Sequence, residues 1–132
     1  MNNKNGLIPD SDLETLESKA QGLEAEIKEW KAKHKDIYEI GIEDEDDKES
    51  VLDGVRIICR APGRAELSRF IKDVTAGDAL KAQNNFFFGC LLHPKAEVLK
   101  EIVDEKPGII VALGNKLQEI TGISQNFTMT KL

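Results

Sequence analysis

The side chains able to do chemistry are few in this sequence. There are two cysteines, Cys59 and Cys90, and two histidines, His34 and His93. A cysteine nucleophile needs an accessible, electropositive setting and a histidine held beside it. Both cysteines stand among apolar residues, and nothing in the sequence places His34 or His93 as a base beside them. They read as buried free thiols in a reducing compartment. His34 has no Cys, carboxylate or second His at a ligand spacing, so it reads as a solvated helix end and not as a metal ligand. Asp44-Glu45-Asp46-Asp47-Lys48-Glu49-Ser50 is acidic enough to suggest calcium. A calcium loop, however, needs oxygen ligands at fixed alternate positions and a glycine at the sharp turn, and Glu49 stands where that glycine belongs. Gly108 and Gly114-Asn115-Lys116 lack the spacing and the hydroxyl of a phosphate loop. Arg56, Arg60, Arg64 and Arg69 form a basic run without interleaved aromatics, which suits salt bridges better than a nucleic-acid surface. Nothing here assembles a catalytic, cofactor-binding or metal-binding set, so the expected class is non-enzymatic.

The bulk composition agrees with that class. The chain has 132 residues, a net charge of −6, 40% hydrophobic and 32% charged residues. This length favours one domain with a core of its own. An acidic balance disfavours nucleic acid and anionic membrane as partners. The N-terminal stretch has no apolar signal-peptide core, and Phe86–Leu92 is far too short to span a bilayer. The expected location is the cytoplasm.

Residues 1–9 are polar and read as a loose start. Asp10, Ser11 and Asp12 are candidate caps for a long helix over 10–35. Its apolar positions, Leu13, Leu16, Ala20, Leu23, Ile27 and Trp30, alternate in steps of three and four. Such a seam either packs on its own domain or docks on a partner or a twin.

The remainder, 36–132, reads as an α+β domain that forms one unit with the helix. Strands over 37–43 and 55–60 should pair as an antiparallel hairpin across the acidic loop. In the second strand Val55, Ile57 and Cys59 define the expected buried face, opposite Arg56, Ile58 and Arg60. Ala61-Pro62-Gly63 breaks that strand, and a mainly helical half of about four helices follows. The first helix is expected over Arg64–Thr75, with Gly77 just past its end and Asp78 capping the next. That second helix should run to about Leu91, with Leu80, Asn84, Phe87, Phe88 and Leu91 facing the core. Phe86, Phe87 and Phe88 are either the centre of the core or a partner surface. His93-Pro94 and Lys106-Pro107-Gly108 separate two further helices. The segment 123–132, with Phe127 and Met129, either docks as a third strand or awaits a partner.

The order of these parts resembles the tail assembly chaperones of long-tailed bacteriophages, especially phages and prophages of Gram-positive hosts. The resemblance rests on Trp30-Lys31-Ala32-Lys33-His34-Lys35 running into Ile37-Tyr38-Glu39-Ile40. It continues in the acidic loop, in Arg60-Ala61-Pro62 closing the second strand, and in the Phe/Cys/Leu-rich helix after Asp78. It implies a non-catalytic protein of the bacterial host cytoplasm that binds the tail tape-measure protein and keeps it soluble. Tail tube subunits are further implied partners, through a longer frameshifted form, with this chain corresponding to the short form. The leading helix is longer than the family pattern. Candidate partner-binding residues are Leu16, Leu23, Ile27, Trp30, Phe86, Phe87, Phe88, Phe127 and Met129. The alternative is a small dimeric regulatory or adaptor module acting through its N-terminal helix, a homo-oligomer with no need of a phage partner.

Overall fold

The computed structural model describes residues 10–42 and 50–132, with side chains described from residue 21 onward. The acidic loop and its rejected calcium reading therefore lie outside the described residues, as does the Leu16 side chain. The chain divides into two units, Met1–Lys35 and Asp36–Leu132. The first carries helix α1 (Asp10–Lys33). Along it Leu23, Ile27 and Trp30 are less exposed than the residues around them. Lys31 and Lys33 stand in its last turn, where cations offset the negative end of the helix dipole.

The second unit is α+β. Strands β1 (Ile37–Ile40), β2 (Ile57–Arg60) and β3 (Leu91–His93) form an antiparallel sheet in the order β1-β2-β3. The first pair sets Ile37 opposite Arg60 and Ile40 opposite Ile57, as an antiparallel hairpin requires. The third strand comes from Leu91–His93, where the spacing predicts a helix to about Leu91, and of the two alternatives for 123–132 the segment forms no strand. A second expectation, on the buried face of β2, also needs correction. An apolar run such as Phe86–Leu92 does not by itself distinguish helix from strand. Pro94 resolves it, because a residue before proline is pushed out of the helical region. In β2, moreover, Ile57, Ile58 and Cys59 are all buried. A central strand covered on both faces shows no alternation.

Among the described residues, four α-helices complete this unit: α2 (Arg64–Thr75), α3 (Ala79–Cys90), α4 (Ala96–Val103) and α5 (Ile109–Gln118), the last continuing into a 3-10 turn over Glu119–Thr121. The junction of α2 and α3 follows from its residues. Gly77 takes φ 89°. Its N–H donates to the Val74 carbonyl at 2.9 Å and that of Asp78 to the Asp73 carbonyl at 3.2 Å, satisfying the carbonyls at the helix end. The Asp78 carboxylate then accepts the Lys81 N–H at 3.1 Å and caps α3.

Arg60 fixes the corner between sheet and helices. Its guanidinium donates to Glu66 at 2.7 Å and to the Gly89 carbonyl at 3.0 Å, so β2, α2 and the end of α3 share one side chain. Glu66 also accepts the Gly63 N–H at 2.8 Å, which covers a free donor at the start of α2. These bonds hold the Glu66 carboxyl below its ordinary value, the Arg60 bond first and the Gly63 bond second.

The core gathers Ile57, Cys59, Phe70, Phe86, Phe87, Cys90, Leu99, Val103, Leu113 and Leu117. The buried face of α3 is Ala82, Gln83, Phe86, Phe87 and Cys90. This differs from the expected Leu80–Asn84–Phe88 stripe. The helix packs on α2 and α5 together, with Phe70 and Phe86 rings 5.3 Å apart on one side and Gln83 bonded to α5 on the other. The stripe through Leu80 and Phe88 is thereby turned outward.

Candidate functional site

That outward stripe lines a cleft of about 480 Å³. Leu80, Lys81, Asn84 and Phe88 come from one face of α3, with Asp78 at its cap. Lys100, Val103 and Asp104 come from the end of α4, while Pro107 and Ile110 close the third side. The spacing of 80, 84 and 88 puts these residues on successive turns of one helix face. The cleft exists because α4 is short. Its last turn hands over to Lys106-Pro107-Gly108, which leaves a gap before α5 begins at Ile109.

Chemically the cleft is an apolar floor with a charged rim. Leu80, Phe88, Val103, Pro107 and Ile110 supply the floor, and Asp78, Lys81, Lys100 and Asp104 the rim. Leu80 is 55% exposed, so it has apolar surface left for a further partner. Phe88 is held in place by an edge contact with the Phe87 ring at 5.8 Å. The Lys100 ammonium lies 5.3 Å over the Phe88 ring, an attraction that also leaves the ammonium available at the rim. Apolar anchors with charged flanks suit the apolar face of an amphipathic helix.

The expected partner residues divide among several places. Phe86 and Phe87 are 2% and 0% exposed, so they belong to the core and present no surface. Phe88 lines the cleft. Leu23, Ile27 and Trp30 lie on α1 at intermediate exposure. Phe127 and Met129 are 85% and 99% exposed, in the segment after Gly122. Sequence reasoning missed Leu80, Lys81, Lys100, Val103, Asp104, Pro107 and Ile110 as cleft residues. A usable signal is Asn84, a polar residue inside a stripe whose spacing predicts core.

The residues weighed for chemistry are dispersed or occupied. Cys59 and Cys90 are free and buried. Burial pushes the Cys59 thiol up to about 12, with nearby Cys90 adding to it. Burial likewise raises Cys90 to about 11. Both are therefore neutral thiols and poor nucleophiles. Arg56 forms a two-point bond to Glu39 across the β1–β2 pair, at 2.8 and 3.1 Å. Among the described residues no group of three His, Cys, Asp or Glu is placed to hold a metal ion. No described helix is long and apolar enough to cross a membrane.

Residues 30–131 match the family model described as a domain of unknown function, DUF6848. The chain is also similar to a solved structure, that of the uncharacterised protein rbstp2171 from Bacillus stearothermophilus. The two share 26% identity and a TM-score of 0.61, covering 79% of this chain and 99% of that one. No curated protein matches the chain.

Proposed function

The chain belongs to the DUF6848 family, and within that domain we propose a non-catalytic, protein-binding role: a phage tail assembly chaperone that holds a helical segment of the tape-measure protein. The observation that carries this reading is the cleft between α3, α4 and α5, with its apolar floor and charged rim. A chaperone for a long helical client needs an apolar surface to cover the client's apolar face, and charge around it to stay soluble. The resemblance in Trp30–Lys35, Ile37–Ile40 and Arg60-Ala61-Pro62 supplies the client's identity. Tail tube subunits are secondary partners on this reading, and the host cytoplasm is where assembly takes place.

The test is co-expression with a phage tail tape-measure protein. The account expects the client to move from the insoluble to the soluble fraction and to co-purify with this chain. A client that stays insoluble beside abundant folded chain contradicts it. A second reading, a dimeric adaptor acting through α1, is favoured by the reduced exposure of Leu23, Ile27 and Trp30 at helical spacing. It expects a dimer that dissociates on Leu23→Asp and the same oligomeric state with or without the client.

A further inference from the structure

Among its described residues the first unit is a single helix, α1, with a narrow apolar seam. Leu13, Leu16, Ala20, Leu23, Ile27 and Trp30 recur along it every three and four residues. In heptad terms Leu13, Ala20 and Ile27 take the a positions, and Leu16, Leu23 and Trp30 the d positions. One helix has nothing of its own to set against such a stripe. The core of the second unit is made, among the described residues, from Ile40 and later positions. Most of α1 also precedes the stretch shared with the DUF6848 family.

The flanks of the seam say what covers it. In a parallel pair of helices a g residue faces the e residue of the partner's next heptad, five positions further on. Glu26 stands at g and Lys31 at the following e. Neither meets an opposite charge along its own helix, where residues three and four apart are neighbours. Gly22, Leu23, Glu29 and Trp30 hold those places around Glu26, and Ile27, Lys28, His34 and Lys35 hold them around Lys31. One heptad earlier Lys19 and Glu24 repeat the relation with the signs exchanged, while Asp12 and Glu17, at the start of the helix, form the one like-charged pair. A β-branched residue at a beside leucine at d, as in Ile27 and Leu23, favours two parallel strands. The sequence of α1 thus supplies both halves of its own complement.

We propose that α1 pairs with α1 of a second copy as a parallel, in-register coiled coil, with Glu26 of each copy set against Lys31 of the other. The two contacts are equivalent by the two-fold axis. Only residues 34–36 separate α1 from β1, so a parallel coil sends both 36–132 units off the same end. The pairing does not depend on the chaperone reading; its use does, since on that reading one client meets two α3–α4–α5 clefts in one assembly.

Sedimentation equilibrium of the full chain tests it, with the charge reversals Glu26→Lys and Lys31→Glu made singly and together. The account expects a dimer. Each single reversal sets like charges against each other on both flanks and should weaken dimerisation about tenfold. The double reversal restores opposite charges only where position 26 faces position 31 of the partner, and it should return the dimer to its original strength. Helix content should not fall in either single variant, because a lysine at 26 gains Glu29 and a glutamate at 31 gains Lys28 and Lys35 along the same helix. Leu23→Asp should give a monomer whose 36–132 unit melts as before. A monomeric full chain overturns the proposal, as does a dimer that survives Leu23→Asp or ignores the charge reversals. A double reversal as weak as either single one overturns the parallel register in favour of an antiparallel pair. Client capture is not among these readouts, so the coil and the chaperone reading fail separately.

Discussion

Gly114 on α5 faces the Gln83 side chain on α3 so closely that a Cβ at position 114 would overlap Gln83 Oε1. That oxygen is not free to move aside. It accepts from Gln118 Nε2 at 2.8 Å, while Gln83 Nε2 donates to Asn115 at 2.8 Å. A polar ladder thus crosses the α3–α5 contact, and the missing side chain at 114 makes room for it. The glycine that looks from sequence like a fragment of a phosphate loop is a packing glycine.

Gly114→Ala should therefore destabilise the fold by about 1–3 kcal/mol, from overpacking and from buried amide bonds left unmade. Chemical denaturation measures it. In a Gln83→Ala background the same substitution should cost distinctly less, because the clash and the ladder have gone. Equal costs in both backgrounds would show that the two residues do not act on each other.

The Arg60–Glu66 corner predicts a pH dependence. The Glu66 carboxyl is held below its ordinary value of 4.5, chiefly by Arg60. A carboxyl with a depressed folded-state value stabilises the fold above its unfolded value. That contribution is lost as pH falls through the folded value. Stability should thus decline from near pH 4.5 downward, and Glu66→Gln should flatten part of the decline. At neutral pH the same variant should cost about 1–2 kcal/mol, since a part-buried charged bond to Arg60 becomes a neutral one. Thermal melts of both proteins across the acid range give the comparison. Parallel curves would remove Glu66 from the account.

Cys59 and Cys90, pushed up to about 12 and about 11 by burial, should resist thiol reagents in the folded protein. An aromatic disulfide reagent at mildly alkaline pH should label neither until denaturant is added, and then both. Rapid labelling of the native chain would mean that the β2–α3 region opens far more readily than its packing implies.

How much of this was legible in the sequence depends on how local the cause was. The end of α2 at Thr75, Gly77 beyond it and the Asp78 cap are written in neighbouring residues, and the structure has them where the spacing puts them. The β1–β2 pair is similarly local. The face of α3 is not. Leu80, Asn84 and Phe88 have helical spacing as good as that of Ala82, Phe86 and Cys90, and only the joint positions of α2 and α5 decide which set is covered. β3 is hidden for a related reason, since a three-residue, half-buried strand directly after an apolar helix has no period of its own. The cleft depends on three elements meeting, so no single stretch announced it.

The central claim is that the α3–α4–α5 cleft holds the client helix. A nuclear magnetic resonance titration of the labelled chain with a helical tape-measure segment tests it most directly. The account predicts that signals of Leu80, Asn84, Phe88, Lys100, Val103 and Ile110 shift together and saturate, and that Leu80→Asp abolishes the shifts without lowering the melting temperature. Shifts that avoid these residues, or persist undiminished in Leu80→Asp, would contradict it.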